Sequence, residues 1–367
     1  MKPILPVIFL GLFLAGSTFT SCKKHITEPP QDTTHKCDTC HTDTTHHPCD
    51  TCNINKDSAA HAFIWKEYAL PSETNLTGVW VFGNNDILIV GGGLYHFDGV
   101  KFTDLLPIRN GSNTSLDGAL SGFNIFAFSK TDYWLVHGSI ALHTTDGKYF
   151  DDFRPGAVNA CWGSAPNDVF IVGNGGHIAH YDGTKFTDMV SNTTKDIGQI
   201  WGTSDKNIWA SGWNQTTAES VLLYYDGNSW TVQDLSKLGD IGVGKNALIG
   251  VWTCDSLNHH ITVASGSFIY KTNDNGLWHS DTLQNSLGGG AYDGLNIIRG
   301  NSSTDIMVQG GSGFLSHWNG KTWYFYKGLF DWGNPSYDIG AFSFKGNTAC
   351  MVGFKNGQGW MTIGNRR

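Results

Sequence analysis

The sequence lacks the local motifs that mark many enzyme active sites. It contains no glycine-rich phosphate loop ahead of a helix, no Gly-x-Ser-x-Gly and no His-Glu-x-x-His. It also has little charge, since Asp, Glu, Lys and Arg make up only 15% of the residues. The formal net charge of −8 leaves no basic footprint for nucleic acid. These absences favour a binding protein over an enzyme and argue against a nucleic-acid partner.

The apolar run near the N-terminus is too short to span a membrane. It extends from Ile4 to Ala15, with Lys2 before it and small residues behind it, which is typical of a secretion signal. The run is followed by Phe19-Thr-Ser-Cys22, which resembles the lipobox of bacterial lipoproteins. That resemblance implies a lipoprotein signal peptide over residues 1–21 and lipidation at Cys22. We expect a lipid anchor in the cell envelope, in the outer rather than the inner membrane; secretion after cleavage nearby is the alternative.

Residues 22–60 form a polar segment rich in Cys, His and Thr, which we interpret as a disordered tether. Its core contains two Cys-Asp-Thr-Cys pairs, whose members are Cys37, Cys40, Cys49 and Cys52. Paired thiols with histidines nearby can bind zinc, and Cys37-Asp-Thr-Cys40-His41 matches the c-type haem attachment motif. In an oxidising compartment the same pairs can instead close into disulfides. We expect a tether without a cofactor, with zinc at the four cysteines as the principal metal alternative.

The rest of the chain repeats one phrase about every 45 residues. The clearest copy, from Ala160 to Met189, has a strand with Trp-Gly, an Asn-Asp turn, an apolar strand and then Tyr-Asp-Gly-x-x-Phe. Short strands and tight turns at this period predict an all-β, seven-bladed β-propeller over residues 61–367. Because the fifth copy is degenerate, counts of six or eight blades stay open.

Two parts of the phrase make structural predictions. The Asp-Gly and Asn-Gly pairs predict two-residue hairpin turns, because such turns need residues that tolerate positive φ. The aromatic residue three positions after the glycine is predicted to fill the space between neighbouring blades. These aromatic residues are Phe102, Phe150, Phe186, Trp230 and Trp323.

The seventh copy ends without its last strand, and a candidate for that strand lies at the other end of the domain. The stretch from His61 to Tyr68 is apolar and aromatic and has no hairpin partner of its own. Its Trp65 matches the aromatic residue of the outer strands. We expect this stretch to complete blade seven and close the ring, which removes two exposed sheet edges.

The repeat resembles that of known propellers. Trp201-Gly, Asn207-Ile-Trp-Ala-Ser-Gly212 and Tyr225-Asp-Gly-Asn-Ser-Trp230 are similar to the repeats of exported propeller lipoproteins from bacteria such as the Bacteroidota. More distantly they resemble the sialidase-like and photosystem-assembly-factor propellers. The resemblance implies the fold and no functional residue, because propellers perform unrelated functions.

We expect ligands to bind at the face with long, variable loops, over the mouth of the central channel. The candidate ligand-binding residues are Arg109, Trp213, Asp293, Arg299, Trp332, Tyr337 and Asp338. The predicted function is a lipid-anchored, monomeric envelope module that binds or scaffolds a protein or glycan. The alternative is a polysaccharide-active hydrolase or lyase that works from the same face.

Overall fold

The computed structural model describes most of the predicted propeller. The described residues are 61–70, 75–83, 85–106, 108–110, 120–217, 219–238, 248–254, 261–265, 268–272, 278–282, 295–310, 314–326, 329 and 337–367. The predicted signal peptide and tether, with Cys22, Cys37, Cys40, Cys49 and Cys52, lie outside them. Apart from strands, these residues form two 3₁₀ turns, Asn174–Gly176 and Leu235–Leu238. In this part of the chain no helix has the length and apolar character needed to cross a membrane.

The strands are numbered in chain order, and the blades in the order of their innermost strands. Blade one contains β2 (Gly78–Gly83), β3 (Asp86–Val90), β4 (Leu94–Phe97) and β5 (Phe102–Asp104). Blade two contains β6 (Arg109–Asn110), β7 (Asn124–Ala127), β8 (Tyr133–His137), β9 (Ile140–Thr144) and β10 (Tyr149–Phe153). Blade three contains β11 (Ala160–Ala165), β12 (Asp168–Val172), β13 (Ile178–Tyr181) and β14 (Phe186–Asp188).

The second half of the ring is built in the same way. Blade four contains β15 (Asp196–Ser204), β16 (Asn207–Trp213), β17 (Ser220–Tyr225) and β18 (Trp230–Val232). Blade five contains β19 (Leu248–Thr253), β20 (Ile261–Ser265), β21 (Phe268–Thr272) and β22 (Trp278–Thr282). Blade six contains β23 (Leu295–Ser302), β24 (Asp305–Gly310), β25 (Leu315–Trp318) and β26 (Trp323–Phe325). Blade seven contains β27 (Tyr337–Lys345), β28 (Thr348–Lys355), β29 (Gln358–Arg366) and β1 (Phe63–Ala69).

The described strands pair into seven sheets, each an antiparallel meander that runs from an inner to an outer strand. The inner strands contact one another in the order β2, β7, β11, β15, β19, β23 and β27, and β27 contacts β2 again. The prediction of an all-β propeller is therefore confirmed. Consecutive residues of second strands such as β3 and β12 are buried, because both faces of each sheet pack against neighbouring sheets.

Blade two departs from the four-stranded pattern. Its outermost strand β10 pairs in parallel with β6, which makes this sheet five-stranded. The extra strand belongs to the connection from blade one, where Ile108 is fully buried and fixes the chain beside the sheet. A uniform repeat of four strands is thus wrong for this blade, because its connection is long enough to add an edge strand.

The prediction of two-residue hairpin turns is also wrong. Phe97 pairs with Phe102, so four residues separate β4 from β5. The Asp98 carboxylate accepts hydrogen bonds from the main-chain N–H groups of Val100 and Lys101, both at 2.9 Å. Gly99 takes the positive φ, at 95°. The aspartate is therefore selected as a hydrogen-bond acceptor that closes the turn, not for its own tolerance of positive φ.

The predicted packing between blades is confirmed. The ring of Trp230 in blade four lies 6.3 Å from the ring of Phe170 in blade three. Phe186 of blade three lies 5.7 Å from Trp134 of blade two, measured between ring centroids. Trp230 and Trp134 are both essentially inaccessible to solvent. These aromatic side chains therefore contribute to the packing between consecutive blades.

The predicted ring closure is confirmed as well. Strand β1 pairs antiparallel with β29 along its whole length, from Phe63 opposite Arg366 to Ala69 opposite Trp360. The Trp65 ring lies 5.2 Å from the ring of Tyr326 in blade six. Trp65 therefore contacts the preceding blade, as Phe186 and Trp230 do in blades three and four. The two ends of the propeller are thereby held in one sheet.

Candidate functional site

The meander of each blade defines two faces of the ring. The turns between first and second strands and between third and fourth strands lie on one side, which we call the turn face. The loops between second and third strands and the connections between blades lie on the other side, which we call the loop face. This geometry follows from the antiparallel order of the strands. Most turns of the turn face are short, and the connections between blades on the loop face are longer.

The structure separates two of the predicted ligand-binding residues. Trp213 ends β16 opposite Asp196, the first residue of β15, and therefore lies on the loop face as expected. Its ring passes over Gly198, where an added Cβ would lie 3.2 Å from Trp213 Cζ3. Arg109 lies instead at the outer rim, because β6 pairs with the outermost strand of blade two. The expectation that Arg109 lies at the channel mouth is not met.

Arg299 lies in the channel wall and not in a loop. It occupies an inner-strand position at which blades one to five have aromatic side chains and blade seven has Ser343. From blade one to blade six the residues at this position are Trp80, Phe126, Trp162, Trp201, Trp252 and Arg299. The Arg299 guanidinium carbon lies 4.6 Å from the ring centroid of Trp201. This is cation–π distance, so the arginine stacks on an aromatic ring.

The aromatic side chains at this position fill the centre of the ring. Trp80 of blade one and Trp201 of blade four have ring centroids 6.5 Å apart although their blades are not neighbours. Trp80 also contacts Phe126 at 5.0 Å, and Phe126 lies 6.5 Å from Trp162. The described part of the channel is therefore occupied by rings at mid-height. A ligand that approaches from the loop face would meet this layer as a floor.

The remaining candidates can be placed only in part. Asp293 and Trp332 lie outside the described residues. Tyr337 and Asp338 begin β27, opposite Lys355 and Phe354, which puts their backbone on the loop face of blade seven. Their side chains are not among those described. Among the described residues, no group of three His, Cys, Asp or Glu side chains is arranged to bind a metal ion.

The loop face has an open groove between blades three and four, with a volume of about 750 Å³. One wall is the loop between β12 and β13, and the other is the connection from β14 to β15. The lining residues are Gly175, Gly176, His177, Met189, Val190, Ser191, Asn192, Thr193, Thr194 and Lys195. Sequence reasoning had assigned binding to longer loops and did not select this one. Its sequence signal is the Gly-Gly pair before His177.

The walls of the groove are fixed by hydrogen bonds and by close backbone contact. The Gly175 N–H donates to the Asp196 carboxylate at 2.7 Å, and the Ile197 N–H donates to the Gly173 carbonyl at 3.0 Å. Gly176 has a φ of 79°, and a Cβ there would lie 2.0 Å from the Thr193 carbonyl oxygen. Only glycine fits at this position, because the two walls meet backbone to backbone. The groove is therefore a preformed feature of the fold.

The chemistry of the groove is mixed. Val190 is 77% exposed and, with Met189, adds apolar side chains to the lining. His177 Nδ1 lies 2.7 Å from the Ala157 carbonyl oxygen and donates to it, which orients the imidazole at the opposite edge. Lys195 lies at the end of the groove, 3.6 Å from the Glu219 carboxylate. An open groove with apolar, hydrogen-bonding and charged groups suits a peptide or protein surface better than a small enclosed ligand.

Sequence reasoning missed a repeated His–Asp pair on the turn face. In four blades an aspartate at the start of the second strand, or immediately before it, contacts a histidine of the third strand. The pairs are Asp86–His96 at 2.6 Å, Asp132–His143 at 3.0 Å, Asp168–His180 at 2.6 Å and Asp305–His317 at 2.8 Å. The signal was present as a histidine two residues before Asp-Gly or Asn-Gly in three of these copies.

These pairs have a structural role in at least two blades. The His143 ring stacks on Trp134 with an interplanar angle of 2° and a centroid distance of 4.2 Å. The His180 ring stacks on Phe170 at 4.4 Å. In each case the aspartate fixes the histidine from one side and the aromatic ring supports its face. The pair therefore joins the second and third strands near the turn face.

Comparisons with known proteins support the fold. No protein-family model matches the chain, and no curated protein matches it in sequence. Among solved structures it is similar to YCF48 bound to a D1 peptide, with a TM-score of 0.60 and 14% identity over 85% of this chain and 100% of that chain. It is also similar to YCF48 from Cyanidioschyzon merolae, with a TM-score of 0.58 and 18% identity over 82% of this chain and 98% of that one.

A third similar structure is an extracellular domain of a larger protein. The extracellular domain of BT4673 from B. thetaiotaomicron matches with a TM-score of 0.58 and 11% identity, over 82% of this chain and 40% of that chain. At these identities the likeness shows the fold alone. The chain is thus a β-propeller protein, and its ligand must be argued from its own surface.

Proposed function

We propose that this protein is an envelope-anchored propeller that binds a protein partner through the loop-face groove between blades three and four. The groove itself is the observation that supports this proposal, since it combines a rigid backbone with the exposed Val190 side chain. Exposed apolar side chains rimmed by polar groups are typical of protein-binding surfaces. YCF48, a solved propeller of similar fold, has a peptide bound to it. This supports a peptide or protein ligand for the groove.

The way the chain enters the propeller is compatible with such an anchor. His61 lies on the turn face, where its Nε2 atom is 3.1 Å from the Thr322 hydroxyl oxygen in a turn of blade six. The described part of the chain therefore begins on the turn face, opposite the groove. We accordingly propose the cell envelope as the location of the protein.

Site-specific photocrosslinking in native envelopes tests this proposal. A photoreactive amino acid is placed at Val190 in the groove and, as a matched control, at Val100 in a turn of blade one. Both valines are highly exposed, at 77% and 87%, but they lie on opposite faces. We expect one protein to be crosslinked in stoichiometric amount from position 190 and not from position 100.

Two results would contradict the proposed function. Equal crosslinking from both positions would indicate non-specific contact. The absence of any protein crosslinked from position 190 would reject a protein partner at the groove, and a glycan array with the same variants would then test glycans. As an independent check, Val190→Asp should weaken capture of the partner at least tenfold, because it places a charge at the centre of the apolar lining.

A further inference from the structure

A pocket lies on the turn face between blades one and two, on the opposite side of the ring from the groove. Its volume is about 400 Å³, which is at the small end of the range for pockets that bind one small molecule. Blade one supplies all of the lining residues except a lysine from blade two. The lining residues are Phe82, Gly83, Asp86, His96, Asp98 and Lys130.

The equivalent place in two other blades is occupied by a polar contact within the blade. In blade three the Ser164 hydroxyl donates to Asp168 Oδ2. In blade six Asn301 Nδ2 donates to Asp305 Oδ2 at 2.9 Å. The strand registers put Phe82 at this position of blade one, and its side chain has no hydrogen-bond donor. The aspartate of the His–Asp pair in blade one therefore has its second partner elsewhere.

Asp86, the aspartate of that pair, is held by its own blade and by the next one. Asp86 Oδ1 lies 2.6 Å from His96 Nε2, and Asp86 Oδ2 lies 2.5 Å from Lys130 Nζ. Lys130 belongs to the turn between the first two strands of blade two, so its ammonium group bridges the two blades at the pocket wall. Burial acts to raise the pKa of Asp86, but the hydrogen bonds from Lys130 and His96 outweigh it and hold that pKa below its ordinary value.

Two groups in the wall keep hydrogen-bonding capacity toward a ligand. Asp98 Oδ1 accepts from two main-chain N–H groups of its own turn, but among the described residues none donates to Asp98 Oδ2. Those N–H groups also hold the pKa of Asp98 below its ordinary value, so its carboxyl group is ionised at neutral pH. The Lys130 ammonium has three donors, and Asp86 takes one of them. The pocket thus offers both an acceptor and donors.

The charges of the wall disfavour a charged ligand of either sign. An anion would approach the Asp86 and Asp98 carboxylates, and a cation would approach the Lys130 ammonium. In a pocket of this size either ligand meets a like charge, which costs free energy. A hydroxyl group both donates and accepts, so it can pair with the ammonium and with the carboxylate. The wall therefore suits an uncharged ligand that carries hydroxyl groups.

The rest of the wall is apolar and open. The Phe82 side chain is half-buried and lines the same pocket. Beside it, Gly83 has a φ of 133°, and an added Cβ there would have no described atom within 4 Å. An aromatic surface next to hydrogen-bonding groups matches a sugar ring, which has an apolar C–H face and hydroxyl groups at its edge.

We propose that the pocket between blades one and two is a binding site for one neutral sugar residue. Phe82 packs against the face of the sugar ring, Lys130 donates to its hydroxyl groups and Asp98 Oδ2 accepts from one of them. A single sugar has few atoms, so its dissociation constant should be roughly millimolar. Because the pocket and the groove lie on opposite faces, the protein can hold a glycan and a protein partner together.

Saturation-transfer NMR on the full-length protein tests this site. The neutral probes are the methyl glycosides of glucose, galactose, mannose and N-acetylglucosamine. Glucuronate and glucosamine are the matched charged probes, because they place a negative or a positive charge on the same ring. We expect at least one neutral probe to bind, and to bind more tightly than both charged ones.

Asp98→Asn tests the role of the carboxylate without removal of the turn. Asn319 closes the equivalent turn of blade six with the same two hydrogen bonds, so the variant should fold. It replaces the acceptor Oδ2 by an amide donor beside Lys130 and should weaken sugar binding at least tenfold. Asp182→Asn makes the same change in a turn of blade three that does not line the pocket, and it should leave the affinity unchanged.

Three results would overturn the proposal. They are no binding of any neutral probe at up to about 10 mM, tighter binding of a charged probe, and equal affinity of the wild type and Asp98→Asn. Main-chain amide resonances locate the site independently of the variants. Those of Val100 and Lys101 should shift when the sugar is added, and those of Thr184 and Lys185 in blade three should not. The opposite pattern would place the sugar outside this pocket.

Discussion

Removal of the Trp65 side chain tests most directly how the ring is closed. The Trp65 ring lies flat on the backbone of Gly364, where an added Cβ would be 2.6 Å from Trp65 Cζ3. It also packs edge-to-face on Tyr326 at 5.2 Å and lies 5.8 Å from Phe63. Trp65→Ala would remove all three contacts and leave a cavity between blades six and seven.

The expected loss can be estimated from these contacts. Substitution of a buried tryptophan by alanine costs about 3–5 kcal/mol, and we take about 3 kcal/mol because Trp65 is only half-buried. A domain of about 300 residues has an unfolding entropy near 0.6 kcal/mol per degree, so Trp65→Ala should lower the melting temperature by about 5 °C.

Differential scanning calorimetry of the full chain measures this shift. The matched control is Ile64→Ala, which changes the neighbouring residue of the same strand, whose side chain is 55% exposed. An exposed substitution of this kind should change the free energy of unfolding by less than about 0.5 kcal/mol, and hence the melting temperature by less than about 1 °C. If Trp65→Ala melted within a degree of Ile64→Ala, the closure would not depend on this contact.

Three further predictions concern the turns, the groove and the tether. Asp226→Ala should lower the melting temperature more than Asp226→Asn does, because Asn319 closes the equivalent turn of blade six with the same two hydrogen bonds. Equal shifts would contradict the role of the Asp226 side chain as hydrogen-bond acceptor. Gly176→Ala should cost about 1–3 kcal/mol and weaken partner capture, since the Cβ would meet the Thr193 carbonyl; unchanged stability and capture would show that the groove walls can separate. Elemental analysis of purified full-length protein should find no stoichiometric zinc or iron, and one equivalent of either would overturn the cofactor-free tether.

The packing between blades was predictable because it depends on local sequence that recurs. The aromatic residue after each Asp-Gly turn, such as Trp230, identifies the outer strand and the surface it must bury. The closing strand was predictable for a similar reason, since an aromatic strand without a hairpin partner needs a sheet elsewhere. The length of the turns was not predictable from the sequence. A four-residue turn closed by a side-chain acceptor and a two-residue turn with positive φ can both contain Asp-Gly.

The sites were harder to predict because they depend on residues from different blades. Arg109 appeared to belong to a loop over the channel, but burial of Ile108 draws that connection to the outer edge of blade two. Arg299 was expected at the mouth of the channel, but its strand register places it against Trp201 in the centre of the ring. Neither position follows from the sequence near the residue.

The class of fold, the packing between blades and the identity of the closing strand could all be derived from the amino-acid sequence. All three depend on short-range patterns: the alternation of strands, the turn residues and the repeated aromatic position. The contact of Gly176 with Thr193 and that of His61 with His317 do not follow from local sequence. The first depends on how a loop of blade three packs on the connection that follows the blade. The second depends on closure of the ring, which brings residues more than 250 positions apart within hydrogen-bonding distance.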